Sequence, residues 1–452
     1  MEKTSSLYSG KCVSYTHLGM GVFVTDQFPE RILVSGMVPG DEGEVEISYK
    51  RAGNCFGKIK KLTVLSKDRV TPLCPVHTSC GGCLFQNVSY ERQLAFKKDL
   101  VASQLGRVEG LSFEVSDPVA SEPCLGVRNK VQVPFGRGRW GELIYGFYKE
   151  LSHDIVPYPD CVNADPRANE ILHKVKDAAV IAKISSYDEK SGRGELRHAV
   201  VRTSRAYEEA MVTIVTKDKD FEGKDEFFKA LAASLGPDDH LIHNVNGDKT
   251  NVILGVVEET IKGSPYLRDR ILNREFLVSS RSFYQTNPYI TEKLYQSILD
   301  HIELTGEETV LDAYGGIGTI GLIVADKAKK VISVENVPEA TEDAKKNAEL
   351  NHVTNFEAVC SDVGDYLEAL AKNGDHIDVA VLDPARRGCG QRTMDQILSL
   401  APSQIVYVSC SPMSLAKDLD VIKDHYFIRL VQPFDMFPHT PHVETLVVLN
   451  RK

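Results

Sequence analysis

From Glu307 onward the chain repeats one pattern, a short apolar run, a glycine or polar break, and a longer amphipathic stretch. VLDAY leads into GGIGTIGLIVADKA, KVISVE into PEATEDAKKNAELNH, and FEAVC into Ser361-Asp362; IDVAVLD, IVYVSC and HVETLVVL follow as further apolar runs. Such alternation predicts βα units wound into a doubly wound, mostly parallel sheet with helices on both faces. Few other arrangements satisfy it, because parallel strands need a long crossover, usually a helix. In open sheets of this kind ligands bind beyond the carboxyl ends of the strands. The residues at or beside those ends are Asp312, Glu335, Asp362, Asp383 and Cys410, four acids and a thiol.

The first turn, Asp312-Ala-Tyr314-Gly-Gly316-Ile-Gly318, lets backbone approach a ligand closely, and Glu335 some twenty residues on is placed to hold a ribose diol. The glycines fit the G-x-G-x-x-G fingerprint of dinucleotide sites poorly and suit adenosylmethionine better. Asp362 falls where an adenine amino group would lie. Cys410, in Ile405-Val-Tyr-Val-Ser-Cys-Ser-Pro412, is by itself as readily a packing residue as a nucleophile, since free cysteines are among the most buried side chains. Glu444 lies on the FPHTPHVE stretch that enters the final strand.

A chain of 452 residues exceeds one ordinary core, so two or three domains are expected. Residues 1–62 alternate short β-type runs with glycine turns, predicting a small OB-like barrel, with Lys50, Arg51, Lys58, Lys60 and Lys61 gathered around Phe56. Residues 63–290 predict an α+β central domain, and 291–452 the α/β domain. No apolar run approaches the ~20 residues of a membrane helix, and the polar start is unlike a signal peptide, so a cytoplasmic protein without membrane contact is expected. A net charge of -10 argues against indiscriminate binding to nucleic acid and turns any such contact to local basic patches. The stretch VRNKVQVPFGRGRW is one, with Arg128, Lys130, Arg137 and Arg139 around Phe135 and Trp140 and no acid.

Ten cysteines in a large chain expected inside the cell favour metal or catalytic use over disulfides. Cys74, Cys80 and Cys83 fall within ten residues, and Cys161 lies downstream in YPDC. Thiolates this close repel unless a metal neutralises them. Four cysteines suit zinc or an iron-sulfur cluster, and the three-plus-one spacing leans toward the cluster. His77 is read as a solvated loop residue.

Six stretches in order, Cys74/Cys80/Cys83/Cys161, Phe283-Tyr-Gln285-Thr-Asn287, DAYGGIGTIGL, DPARRG, VSCSP and FPHTPHVE, resemble the RNA uracil-5-methyltransferases, specifically the bacterial branch with an N-terminal TRAM barrel and a [4Fe-4S] cluster. The resemblance implies S-adenosylmethionine as cofactor and C5 of a uridine in structured RNA as substrate. The expected RNA is 23S ribosomal RNA ahead of transfer RNA, with no obligate protein partner. It implies Cys410 as nucleophile and Glu444 as base. Gln285, Tyr314, Gly316, Thr319, Glu335, Asp362 and Asp383 become the cofactor and base pocket, and Phe283 or Tyr284 a stacking partner for a flipped base. A catalytically silent iron-sulfur assembly factor is the competing class, but it has no use for both Cys410 and Glu444. Three positions depart from the family pattern: Ser411 replaces a usual asparagine, Gly315 a usual cysteine and Asp362 a frequent asparagine.

Overall fold

A computed structural model describes residues 6–150 and 152–452. Five strands, β1 (Leu7–Tyr15), β2 (Gly21–Thr25), β3 (Phe28–Val34), β4 (Glu42–Arg51) and β5 (Asn54–Val64), close a barrel in the order β1-β2-β3-β5-β4. Phe23, Ile32, Val45 and Ile47 fill it together with the thiols of Cys12 and Cys55, both of which packing takes out of use as ligands.

After α1 (Tyr90–Leu105) come β6 (Lys130–Arg137), β7 (Leu143–Tyr148), β8 (Ile155–Pro157), α2 (Pro166–Ile181), β9 (Leu196–Thr203), β10 (Ala210–Thr216), α3 (Lys224–Ser234), β11 (His240–Val245) and β12 (Val257–Lys262). Their strands form one seven-stranded sheet, β12-β11-β10-β9-β6-β7-β8, with α2 and α3 packed on it. A hairpin, β13 (Tyr266–Ile271) and β14 (Arg274–Ser279), leads to α4 (Pro288–His301).

The remaining chain runs β15 (Thr309–Ala313), α5 (Thr319–Val324), β16 (Lys330–Glu335), α6 (Pro338–Leu350), β17 (Phe356–Cys360), α7 (Val363–Asn373), β18 (Val379–Leu382), α8 (Gln391–Leu400), β19 (Gln404–Ser409), α9 (Pro412–Ile422), β20 (Tyr426–Phe434) and β21 (Glu444–Arg451). The sheet order is β17-β16-β15-β18-β19-β21-β20, parallel except for β21, which runs against both β19 and β20. The chain order reverses between β15 and β18, which opens a crevice at their carboxyl ends. Helices α2, α4 and α9 share a start signal: Asp165, Asn287 or Ser411 accepts a backbone N–H from the first turn, and proline occupies the first helical position.

Alternate residues of this sheet face two separate cores. Two stretches that sequence groups with the central region pack here instead. Val101 and Leu105 of α1 join one core, and Ile271, Phe276 and Val278 of the β13–β14 hairpin join the other. The helical charge pattern of α1 conceals this, because Lys97 is fully buried and paired with fully buried Asp435. Among the described residues no helix is long and apolar enough to cross a membrane.

Candidate active site

The ladder between β19 and β21 ends with Ser409 opposite Thr445, so the next step sets Cys410 opposite Glu444. On the other side of β19, Leu382 of β18 pairs with Tyr407, and Asp383 follows directly. Three reacting-type groups from three neighbouring strands therefore meet at one edge. Cys410 precedes α9, whose N-cap is Ser411; the Ser411 hydroxyl accepts the Ser414 N–H at 3.4 Å. Asparagine caps helices equally well, so the family departure at this position preserves the cap.

These groups line a cavity of about 600 Å³ that also contacts Phe283, Gln285, Tyr314, Glu335, Asp362 and Thr393. Burial, then the Glu444 and Asp383 carboxyls, push the Cys410 thiol up to about 11, with Arg386 pulling the other way. Burial, then Asp312, raises Asp383 to about 7. Glu444 is fully buried, and burial followed by Asp383 lifts its carboxyl well above the carboxylate range. Burial and then Arg386 lower His442, also on the wall, to about 4, so its ring is neutral at physiological pH.

The match to known proteins fits this geometry. The model for tRNA (uracil-5-)-methyltransferases matches residues 203–452. An RNA methyltransferase of Listeria innocua is 39% identical over 438 residues, covering 97% of this chain and 96% of that protein. One from Clostridium tetani is 38% identical, covering 99% and 97%. The crystal structure of Pyrococcus abyssi tRNA (uracil-54, C5)-methyltransferase with S-adenosyl-L-homocysteine superposes with a TM-score of 0.79 at 28% identity, covering 98% of this chain and 99% of that one. The chain belongs to the RNA uracil-5-methyltransferase family. It is an S-adenosylmethionine-dependent RNA methyltransferase.

In this methyltransferase the expected pocket residues divide. Gln285, Tyr314, Glu335, Asp362, Asp383, Cys410 and Glu444 line the cavity, whereas Gly316 and Thr319 do not. The Thr319 hydroxyl is turned to Tyr295 at 3.0 Å, and Gly316 acts through its N–H, donated to Glu335 Oε2 at 3.1 Å. Glu335 Oε1 accepts the Val337 N–H. Asp362 caps α7 through Oδ1 while lining the cavity. Tyr284 is buried among apolar residues with its hydroxyl on Asp269, so it is no stacking partner; Phe283, 70% exposed on the cavity wall, keeps that role open. Glu444 begins β21 instead of sitting on the loop before it.

Sequence reasoning missed Asp418. Buried on α9, it accepts the Tyr407 hydroxyl at 2.6 Å and the N–H groups of Cys389 and Gly390 at 2.7 and 3.1 Å. It thus ties the DPARRG loop to the helix that Cys410 precedes. Gly388 (φ +80°) is required there, since a Cβ would meet Asp418 Oδ2 at 2.5 Å. Thr393 and Cys389 belong to no motif, and only folding brings them beside Tyr314.

Cys74, Cys80, Cys83 and Cys161 line a second cavity of about 270 Å³, with Arg128 and Lys130. Among the described residues no three His, Cys, Asp or Glu side chains close on a single ion position. His77 is not solvated as expected: it is half-buried on this wall, its Nδ1 buried without a partner. The two cavities adjoin, sharing Phe437, while Gln285 faces one and Thr286 the other.

Proposed function

We propose that this enzyme methylates C5 of a uridine in structured RNA, 23S ribosomal RNA in the first instance, through covalent addition of Cys410 to C6 of the base. The observation that carries the reading is the opposition of Cys410 and Glu444 across β19 and β21 in the cavity that also holds Asp383 and Glu335. C5 of uracil is a poor nucleophile; addition of a thiolate at C6 makes it an enolate carbon and splits one difficult step into easier ones. The bound cofactor supplies an electrophilic methyl group. Glu444 then accepts the C5 proton, and the carbon–sulfur bond breaks to restore the ring. A carboxyl raised by burial is suited to taking a proton near neutral pH. Gln285 and Asp383 face the N3–H and O4 edge that distinguishes uracil from cytosine, and Arg386 balances the charge developing on the enolate. The cradle fits a nucleoside: Glu335 at the end of β16 for the ribose diol, Tyr314 and Asp362 for the adenine.

The donor set of the second cavity fits a [4Fe-4S] cluster. Four thiols line one cavity of about 270 Å³, a ligand set that suits a [4Fe-4S] cluster or tetrahedral zinc, and the three-plus-one spacing leans toward the cluster. The barrel at the N-terminus is read as a TRAM module that grips RNA beside it.

Transfer RNA is the second reading, favoured by the Pyrococcus abyssi likeness over nearly the whole chain. Incubation with labelled cofactor and unmodified 23S and transfer RNA transcripts decides between them, with methylated uridines mapped in each. Cys410→Ala is expected to lose ~10⁴-fold or more of the transfer rate; full activity of that variant would overturn the covalent route. Glu444→Gln is expected to accumulate a protein–RNA adduct visible on a denaturing gel.

A further inference from the structure

We propose that the turn between β6 and β7 is a stacking platform for an unpaired RNA base outside the target uridine, with Trp140 as the stacking ring and Arg137 and Arg139 as phosphate contacts. The inference rests on the RNA methyltransferase reading and adds to it a second point of contact on the substrate. Trp140 is the only tryptophan of the chain, and it is 88% exposed. A lone indole at a hairpin tip presents a broad, flat apolar face to a ligand that can stack on it.

The tip is held and not loose. The ladder between β6 and β7 runs to the pair Arg137–Leu143, Gly138 N–H donates to Glu142 O at 2.8 Å, and Gly141 N–H donates to Gly138 O at 3.0 Å. The Trp140 backbone N–H donates to Glu142 Oε2 at 3.0 Å, which engages that carboxylate within the turn. Arg137 and Arg139 are exposed, and among the described residues neither makes an ion pair. In a chain of net charge -10 two unpaired guanidinium groups beside an exposed indole are complementary to a single-stranded nucleic acid, which offers phosphates and base faces at once.

The position of the platform is fixed relative to the catalytic cavity. Asn129, just before β6, donates its N–H to Thr286 O at 3.0 Å and its amide to Gln285 O at 3.2 Å. From there β6 carries the tip roughly 25 Å away, so the base on Trp140 is not the one that reaches Cys410. Stacking tolerates any base, and the platform therefore selects an unpaired stretch at a set distance from the target and not a sequence.

Because Trp140 is the sole tryptophan, its fluorescence, excited where tyrosine does not absorb, reports this site alone. Titrating the full-length protein with a single-stranded RNA oligonucleotide at low salt is expected to quench that emission. Labelled-RNA anisotropy is expected to show about a 10-fold weaker affinity for Trp140→Ala, near wild-type affinity for Trp140→Phe, and a reduced salt dependence for an Arg137→Ala/Arg139→Ala pair. RNA binding and methylation by the wild type with unchanged tryptophan emission, and with Trp140→Ala equal to wild type, would overturn the platform and leave the enzyme's function standing. Loss of a co-purifying protein from Trp140→Ala with RNA affinity unchanged would assign the surface to a protein and overturn it as well. A wild type that neither binds nor methylates RNA would overturn both readings.

Discussion

Burial lifts the Cys410 thiol to about 11, so it is protonated in the resting enzyme at neutral pH, and burial followed by the Asp383 carboxyl raises Glu444 well above the carboxylate range. Both proposed roles need the deprotonated form. Single-turnover methyl transfer is therefore expected to rise with pH across the neutral and alkaline range; a rate that falls there would exclude this pair as nucleophile and base. Stability should move the other way. Asp383 stands at about 7 in the folded chain against an ordinary 3.8, so the native state binds the extra proton between those values and stability falls as pH rises through that window. Asp383→Asn is expected to flatten this dependence, read as denaturation midpoints at pH 4 and pH 8. Gly315 gives a third residue-level test. Where the family resemblance leads one to expect cysteine, a Cβ would collide with the Ser333 hydroxyl, which itself donates to Asp312 Oδ2 at 2.9 Å. Gly315→Ala is expected to cost about 1–3 kcal/mol, and Ser333→Gly to recover part of it, measured by a double-mutant denaturation cycle.

The loop between β20 and β21, residues 435–443, places Phe437 and His442 on the cavity wall and leads directly into Glu444, and α1 holds it from behind. Tyr90 donates to Asp435 at 2.6 Å, Lys97 pairs with Asp435 and donates to Phe437 O at 3.0 Å, and Gln93 Oε1 accepts the His439 N–H at 2.9 Å. His439 sits at φ +64°, a conformation a side chain keeps only when its surroundings impose it. A helix that resembles a solvated charged segment thus positions the proposed base. Lys97→Met leaves Asp435 buried without its cation and is expected to cost ~3–5 kcal/mol. Milder Gln93→Ala is expected to lower kcat more than it raises KM for RNA, because it loosens the base without touching substrate; equal effects on the two would make α1 merely structural.

At the scale of the whole molecule the two cavities stand back to back. Phe437 belongs to both walls, the Gln285–Thr286 segment faces one with each residue, and Phe85 N–H, two residues past Cys83, donates to His439 O at 2.9 Å. A group bound in the cysteine cavity would therefore support the loop that leads into the proposed base. If the proposed cluster occupies this cavity, chelating or oxidatively removing it is expected to lower the thermal midpoint and RNA affinity while leaving the pH profile of the residual activity in place. A changed profile would point to a redox part in the chemical step.

Much of this was legible before folding. Strand–helix alternation is a local periodicity, and the order of βα units alone brings the ends of β15, β16, β18 and β19 to one crevice, so Glu335, Asp383 and Cys410 could be named from the chain. Close spacing likewise marked Cys74, Cys80 and Cys83. What the chain alone left open were features that depend on which distant surfaces meet. The antiparallel entry of β21 beside β19 sets Glu444 opposite Cys410, and its register is a non-local pairing. The burial of Lys97, the inward turn of Tyr284, the pairing of Thr319 with Tyr295 and the anchoring by Asp418 each contradict or escape what residue type suggests. A polar group's fate is decided by the partner that satisfies it, and here those partners come from remote parts of the chain, so only the tertiary structure could supply them.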